Sequence, residues 1–332
     1  MKTRTAVPAL LAAALGLACA RGGPAPDQLK QYLSQPQMQV KSYAFDPASP
    51  LESRLGPCPE MLLAWLREID DKPGYRGYAP SAAEKRLVLE LLAALPERMK
   101  QAFQERLLGI YFVEDFTGNG MSNWVLDESG QVHAWLVVNP AAFKKSLSET
   151  LTAREASVFK GGGVKVDCGT RYRGVVYTIL HEGLHVYDFV RGVTPYVEEA
   201  VVHAARGGKG LGASWDVWES LKKPRPEADF PFRDELRFYG MNGGPSIRAA
   251  DAAKVYLGLM RSPFPSLYAS QSWAEDAAEL FTFHHITSVL KQPYVIRLAG
   301  PRPASFEPMR SGHAAARARR LYGPFYEPAA AK

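Results

Sequence analysis

Residues 175–190 read VVYTILHEGLHVYDFV, an apolar helical pattern that contains two histidines four positions apart. Residues with this spacing lie one turn apart on the same face of a helix, so His181 and His185 can bind one metal ion. Glu182, beside the first histidine, can accept a proton from a water that the ion activates. Because neutral imidazoles suit zinc, the pattern predicts a metal-binding helix with Glu182 as general base. The alternative is an amphipathic core helix with two incidental histidines.

A catalytic zinc site usually has three protein ligands, and the sequence offers two acidic sources for the third. Glu198 and Glu199 follow His185 by 13 and 14 residues. Glu275 and Glu279 lie one turn apart in a later helical segment, where one acid can bind metal while the other orients a histidine. The spacing alone leaves both sources open.

The two segments together resemble the catalytic domain of the anthrax toxin lethal factor group. These are gluzincins in which His-Glu-x-x-His is followed three residues later by Asp, and the third ligand comes from a distant Glu-x-x-x-Glu helix. Asp188 matches that Asp, and Tyr268 precedes Glu275 by seven residues, as a tyrosine of this group does. The resemblance implies that His181, His185 and Glu275 bind one Zn²⁺ per chain.

The same resemblance implies further roles. Glu182 would be the catalytic base, and Tyr268 would donate a hydrogen bond to the oxyanion. Glu279 and Asp188 would support the metal ligands without binding the metal themselves. The resemblance covers roughly residues 105–290. About ninety residues separate His185 from Glu275, more than in the toxin. The toxin's substrate therefore cannot be assigned to this protein from the resemblance.

Short apolar runs at 109–115, 123–127 and 131–138 predict three strands in hairpin succession, and the chain after about residue 147 is mainly helical. Strands followed by helices favour an α+β fold. We therefore expect a zincin-like metalloprotease domain with a small mixed or antiparallel sheet and an active-site helix. The run at 131–138 is either the edge strand that binds an extended peptide or an ordinary half-buried strand.

The composition predicts five segments along the chain. They are a signal peptide at 1–20, a linker at 21–58, a helical region at 59–104, the catalytic domain at 105–295 and a tail at 296–332. Within the helical region, Ser81 and Glu84 form a capping box, and Pro96 suits the first turn of another helix.

The first twenty residues are typical of an export signal. Lys2 and Arg4 precede an apolar run at 6–18, which is shorter than the roughly twenty residues that cross a bilayer. Cleavage after Ala20 gives a periplasmic or secreted protein, whereas cleavage before Cys19 gives a cell-envelope lipoprotein. A lipidated Cys19 is then the expected membrane attachment. Either cleavage leaves Cys58 and Cys168, which form a disulfide or remain two buried thiols.

The whole chain has an ordinary globular composition, with 46% hydrophobic and 22% charged residues and a net charge of +6. Basic runs interleaved with aromatic residues are absent from the sequence, so a nucleic-acid partner is not expected. These observations predict an exported zinc metallopeptidase that acts on a peptide or protein substrate. Two alternatives are a non-catalytic zincin-like scaffold of the cell envelope and an amidase that cleaves cell-wall linkages.

Overall fold

The chain folds into the expected α+β structure, which we describe from a computed structural model covering residues 26–299, 303–310 and 312–327. The predicted signal peptide, with Cys19, lies outside these residues. Among the described helices, none has both the length and the apolar character required to cross a membrane.

Helices make up most of the regular structure, and the strands are short. The α-helices are α1 Pro26–Leu33, α2 Glu60–Ile69, α3 Ala82–Ala93, α4 Glu97–Arg106, α5 Ala141–Lys144, α6 Leu147–Ala156, α7 Val175–Arg191, α8 Glu199–Arg206, α9 Ala252–Arg261, α10 Trp273–His284 and α11 Gly312–Tyr322. The strands are β1 Leu55–Pro57, β2 Arg76–Gly77, β3 Leu107–Glu114, β4 Gly120–Leu126, β5 Val132–Val138, β6 Phe159–Lys160, β7 Val164–Asp167, β8 Trp218–Ser220, β9 Lys223–Pro224, β10 Ile247–Arg248, β11 Val295–Leu298 and β12 Ala304–Phe306.

The main sheet is mixed and has five strands in the order β1–β3–β5–β4, with β2 paired to β3. Strands β1 and β5 run parallel to β3, whereas β4 runs antiparallel to β5. Strand β4 is therefore at the edge of the sheet. Smaller pairings are formed by β6 with β10, by β7 with β11 and β12, and by β8 with β9.

The predicted hairpin succession is correct for β4 and β5 and wrong for β3. Strand β3 pairs with β5, which lies between β3 and β4, so the run at 131–138 is not an edge strand. The physical reason is burial on both faces. Ala134 and Leu136 pack into one core cluster, while Trp135 and Val137 pack into another. A continuous apolar run of this kind is typical of a central strand.

Helices cover both faces of the sheet. Leu62 and Leu66 of α2 share a core cluster with Trp135 on one face, and α7 packs against β4 and β5 on the other. The larger cluster includes residues from Tyr32 to Tyr322. The helix that carries the two histidines is therefore held against the edge strand of the sheet.

Several predicted local features are confirmed. The reciprocal hydrogen bonds of the Ser81–Glu84 capping box are present, and α4 begins directly after Pro96. The segments predicted as a linker and a tail contribute to the same core, however. Strand β1 pairs with β3, and Tyr322 of α11 donates a hydrogen bond to the carbonyl of Ala277 on α10, at 2.8 Å.

Cys58 and Cys168 are free thiols, so the disulfide is a wrong prediction and the alternative of two buried thiols is realised. Cys58 belongs to the core cluster under α2, whereas Cys168 belongs to the cluster on the other face of the sheet. Burial raises the pKa of each thiol to about 12.

Candidate metal centre

Helix α7 carries the two histidines and is buried along almost its whole length. A helix that is apolar on all sides is stable only when other elements surround it, and α4, α10 and the sheet do so here. The helix ends at Arg191 and is capped by Gly192, whose φ of 73° is the left-handed conformation that favours glycine. The side chains of His181 and His185 are both buried.

Helix α10 packs against α7 and brings Glu275 to the two histidines. Oε2 of Glu275 lies 3.1 Å from Nε2 of His181 and 3.5 Å from Nε2 of His185. Ligand atoms bound tetrahedrally to zinc at about 2 Å are about 3.3 Å apart, so these distances fit a shared ion. The same Oε2 atom is buried and forms no hydrogen bond of good geometry with any described residue.

The charges of the three side chains are strongly coupled. Burial alone would raise the pKa of Glu275, but the imidazoles of His185 and His181 hold it well below its ordinary value. Burial alone would lower the pKa of His181, but Glu275 and Glu279 raise it to about 10. The surroundings of His181 thus stabilise a positive charge at the point where the three side chains meet, which a bound cation can provide in place of a proton.

Glu279 fixes the orientation of the first histidine. Its carboxylate lies 2.9 Å from Nδ1 of His181. Burial opposes ionisation of Glu279, but Arg154 and His181 lower its pKa to about 2. A carboxylate can only accept a hydrogen bond, so Nδ1 carries the proton and Nε2 of the neutral ring is available to a metal. Glu279 therefore contacts the ring nitrogen of His181 that faces away from Glu275.

Asp188 contacts the segment that follows α7. Its carboxylate accepts hydrogen bonds from the backbone N–H groups of Val193 and Thr194 and from the Thr194 hydroxyl, at 2.6, 2.8 and 2.7 Å. Nδ1 of His185 has no hydrogen-bond partner in the described part of the chain. Asp188 therefore stabilises the turn that follows α7 and does not orient an imidazole directly.

Glu182 faces the edge strand. The hydroxyl of Ser122 on β4 donates to its Oε2 at 2.9 Å, and a Cβ built at Gly120 would lie 3.2 Å from its Cγ. Residues 120, 122 and 124 lie on one face of the strand because side chains alternate along it. The glutamate is only partly buried, so its second oxygen can reach a molecule bound in the cleft.

A cavity of about 190 Å³ lies beside His181, and Glu182, Tyr239 and Tyr268 line it together with this histidine. The ring of Tyr268 is 5.8 Å from that of His181. Burial and the nearby Glu275 raise the pKa of Tyr268 well above its ordinary value, so its hydroxyl remains protonated. A larger groove of about 710 Å³, lined in part by Met38 and Leu126, contains none of the predicted site residues.

Glu198 and Glu199, the other acidic candidates for the third metal ligand, do not join the two histidines. Glu198 accepts a hydrogen bond from Nε1 of Trp124 at 3.3 Å, and Glu199 is the first residue of α8. Among the described residues, neither belongs to the cluster that could hold a metal, which consists of His181, His185 and Glu275.

Gly120 allows the edge strand β4 to approach helix α7 closely. A Cβ at this position would lie 2.5 Å from Cγ2 of Thr178 on α7 and 2.7 Å from the carbonyl oxygen of Val137 on β5. Because these atoms belong to a packed helix and a backbone, we expect Gly120→Ala to lower the free energy of unfolding by about 1–3 kcal/mol. Urea denaturation measures this change.

Gly56 on β1 provides the matched control, because no atom lies within 4 Å of a Cβ built there. Gly56→Ala should be neutral or stabilise the protein by up to about 1 kcal/mol, since alanine reduces the freedom of the unfolded chain. Equal unfolding energies for the two variants would contradict a tight contact between β4 and α7.

Several residues that contact the site were not predicted from the sequence. Tyr177 could have been identified, because it lies four positions before His181 on the same helix face. Arg154, Ser266 and Ser122 carry no such signal, since a polar residue in a short element is usually exposed.

No protein-family model, curated protein or solved structure matches the chain. Two imidazoles and a carboxylate converge on one point, while an acid and a phenol line the adjacent cavity.

Proposed function

We propose that the protein is an exported, zinc-dependent metallopeptidase of the gluzincin type. His181, His185 and Glu275 bind one zinc ion in this proposal, and Glu182 is the general base. The convergence of three ligand atoms within 4.8 Å of one another carries the proposal. They come from helices about ninety residues apart in sequence, and the buried Oε2 of Glu275 has no hydrogen-bond partner among the described residues. A carboxylate oxygen left in this state is costly unless a ligand satisfies it.

Glu182 is suited to move a proton between water and the leaving group. When bound, zinc supplies a Lewis acid that polarises the peptide carbonyl and activates water. The carboxylate of Glu182 takes the proton of the attacking water and then delivers it to the leaving amine. The hydrogen bond from Ser122 orients one oxygen of this carboxylate and leaves the other free for proton transfer.

Tyr268 is suited to stabilise the negative charge that develops on the carbonyl oxygen. Its hydroxyl stays protonated at neutral pH, and its ring lines the same cavity as Glu182. A preorganised hydroxyl donor of this kind lowers the energy of the transition state more than that of the substrate.

The edge strand supports a peptide as the substrate. Residues 120–122 of β4 are partly exposed beside Glu182, and an extended chain can add to an open sheet edge through backbone hydrogen bonds. The other end of the strand is covered, since Gln39 pairs with Leu126. A sheet edge above a metal-binding helix is the arrangement that we assign to a zincin-like catalytic domain.

Metal content and metal-dependent hydrolysis test the proposal. Elemental analysis of the purified protein should find one zinc per chain, and the protein should cleave an unfolded, fluorescently labelled protein substrate. Removal of zinc with a chelator should reduce hydrolysis to background, because the Lewis acid is lost, and added zinc should restore it. A protein that takes up no zinc after supplementation, or that is equally active without metal, would exclude this function.

A further inference from the structure

We propose that Arg154 is a positioning residue for the metal site. It fixes the Glu279 carboxylate that orients His181, and so it increases the affinity of the site for the metal. This inference rests on the proposed metal site and explains how that site is held in place.

Arg154 lies on α6, and its side chain is completely buried. A buried guanidinium is costly unless carboxylates and other acceptors surround it. Its Nη1 atom lies 2.7 Å from Oε2 of Glu279, and its Nε and Nη2 atoms donate to Oε1 of Glu155 at 3.3 and 2.9 Å. The arginine therefore connects the acid of its own helix with an acid of α10.

Both oxygens of Glu279 are fully used. Oε1 accepts from the Tyr177 hydroxyl at 2.7 Å and lies 2.9 Å from Nδ1 of His181. Oε2 accepts from Arg154 at 2.7 Å and from the Ser266 hydroxyl at 2.5 Å. The carboxylate cannot rotate away from His181 without breaking the bond to Arg154. Of these four donors, Arg154 is the one that carries a permanent charge.

A second connection runs from Arg154 to the same histidine. Its Nη1 atom also donates to the Tyr177 hydroxyl at 2.6 Å, which closes a triangle with Glu279. Tyr177 lies one turn before His181 on α7, and their rings are 5.3 Å apart. The guanidinium therefore donates hydrogen bonds to both Glu279 and Tyr177, the two side chains that lie near Nδ1 of His181.

The guanidinium is itself held from several directions. Glu155, which binds it on the far side, accepts a hydrogen bond from the Tyr256 hydroxyl at 2.7 Å. The Cζ atom of Arg154 lies 5.4 Å from the ring centre of Tyr268 and 5.9 Å from that of Phe283. The guanidinium of Arg154 is therefore held between Glu155 and Glu279, which fixes its position beside the carboxylate that contacts His181.

The test is the zinc affinity of Arg154→Met, measured by competition with a chromophoric chelator. Methionine fills much of the space but cannot donate a hydrogen bond. We expect zinc to bind roughly 10–100-fold more weakly, which is the usual effect of removing a partner outside the ligand set. An affinity within about threefold of the wild type would overturn the inference.

Arg317→Met is the matched control. Arg317 is also buried and forms a 2.7 Å ion pair with Asp276 on α10, the helix that carries Glu275. Its hydrogen bonds within the described residues go to Asp216, Pro263 and Asp276 and not to Glu279, so its loss should lower stability but change zinc affinity by less than about threefold. An equal loss of affinity in both arginine variants would mean that general loosening of α10 is responsible, and this would overturn the positioning role.

A double-mutant cycle separates positioning from a purely structural role. The larger part of the effect should depend on Glu279, so Arg154→Met should weaken zinc binding clearly less in a Glu279→Gln background than in the wild type, with the remainder passing through Tyr177. A full effect in that background would contradict the inference.

If Arg154→Met does not fold, Arg154→Lys is the deciding variant. Lysine keeps the charge but lacks the planar fork that reaches Glu155, Tyr177 and Glu279 together. Its zinc affinity should still fall, by roughly 3–10-fold, and an unchanged affinity would overturn the inference. A wild-type protein that binds no zinc would exclude the proposed function itself. A wild type that binds zinc, with variants that bind equally well, would exclude only the role of Arg154.

Discussion

Glu182→Gln should lower kcat/KM by about 10²–10⁴-fold while one zinc per chain is retained. Glutamine has nearly the same shape as glutamate and can still accept the hydrogen bond from Ser122, but it cannot take a proton from water. The residue is not one of the three groups that converge as metal ligands, so the site should remain intact. Steady-state kinetics and elemental analysis on the same preparation measure the two effects.

Glu199→Gln is a suitable control for this experiment. Glu199 lies in the first turn of α8 and contributes nothing to the metal cluster, so turnover should stay at the wild-type level. A Glu182→Gln variant with normal turnover would show that the base is a different residue. If the zinc-loaded wild type cleaves neither peptides nor cell-wall amides, the scaffold alternative becomes the better interpretation.

Glu275→Ala should remove the metal almost completely. The substitution deletes one of three ligand atoms and leaves two imidazoles, which do not complete a catalytic zinc site. We expect the loss of affinity to exceed the roughly 100-fold that follows from removing a partner outside the ligand set. Competition with a chelator measures the affinity, and thermal unfolding of the metal-free proteins shows whether the variant is folded.

Glu198→Ala and Glu199→Ala test the other acidic source. The Glu198 carboxylate accepts a hydrogen bond from Trp124, and neither residue belongs to the metal cluster, so both variants should keep one zinc per chain. If either variant loses zinc and Glu275→Ala retains it, the ligand set proposed for this protein is wrong.

Local features of the fold could be predicted because they depend on residues close in sequence. The Ser81–Glu84 capping box, the helix after Pro96 and the hairpin of β4 and β5 each involve a short stretch of chain. Pairing of β3 could not be predicted in this way. The partner of a strand is chosen by burial of both sheet faces, and that depends on which helices cover them.

Whether Cys58 and Cys168 form a disulfide also depends on tertiary packing and not on residues close in sequence. An even number of thiols is compatible with a disulfide, but a bond forms only when the two Cβ atoms approach within about 4 Å. Cys58 and Cys168 belong to core clusters on opposite faces of the sheet, so the fold keeps them apart. Their number alone carried no information about this separation.

The sequence by itself determined that His181 and His185 share one face of a helix with Glu182 beside the first of them, because this spacing acts within one helix. It also indicated the α+β class. Only the tertiary structure decided which acid meets the histidines, since α10 packs against α7 and α8 does not bring its glutamates to them. The burial of Arg154 beneath Glu279 was likewise decided by packing. Such contacts join residues about a hundred positions apart, and their energies depend on burial, which a single stretch of sequence does not specify.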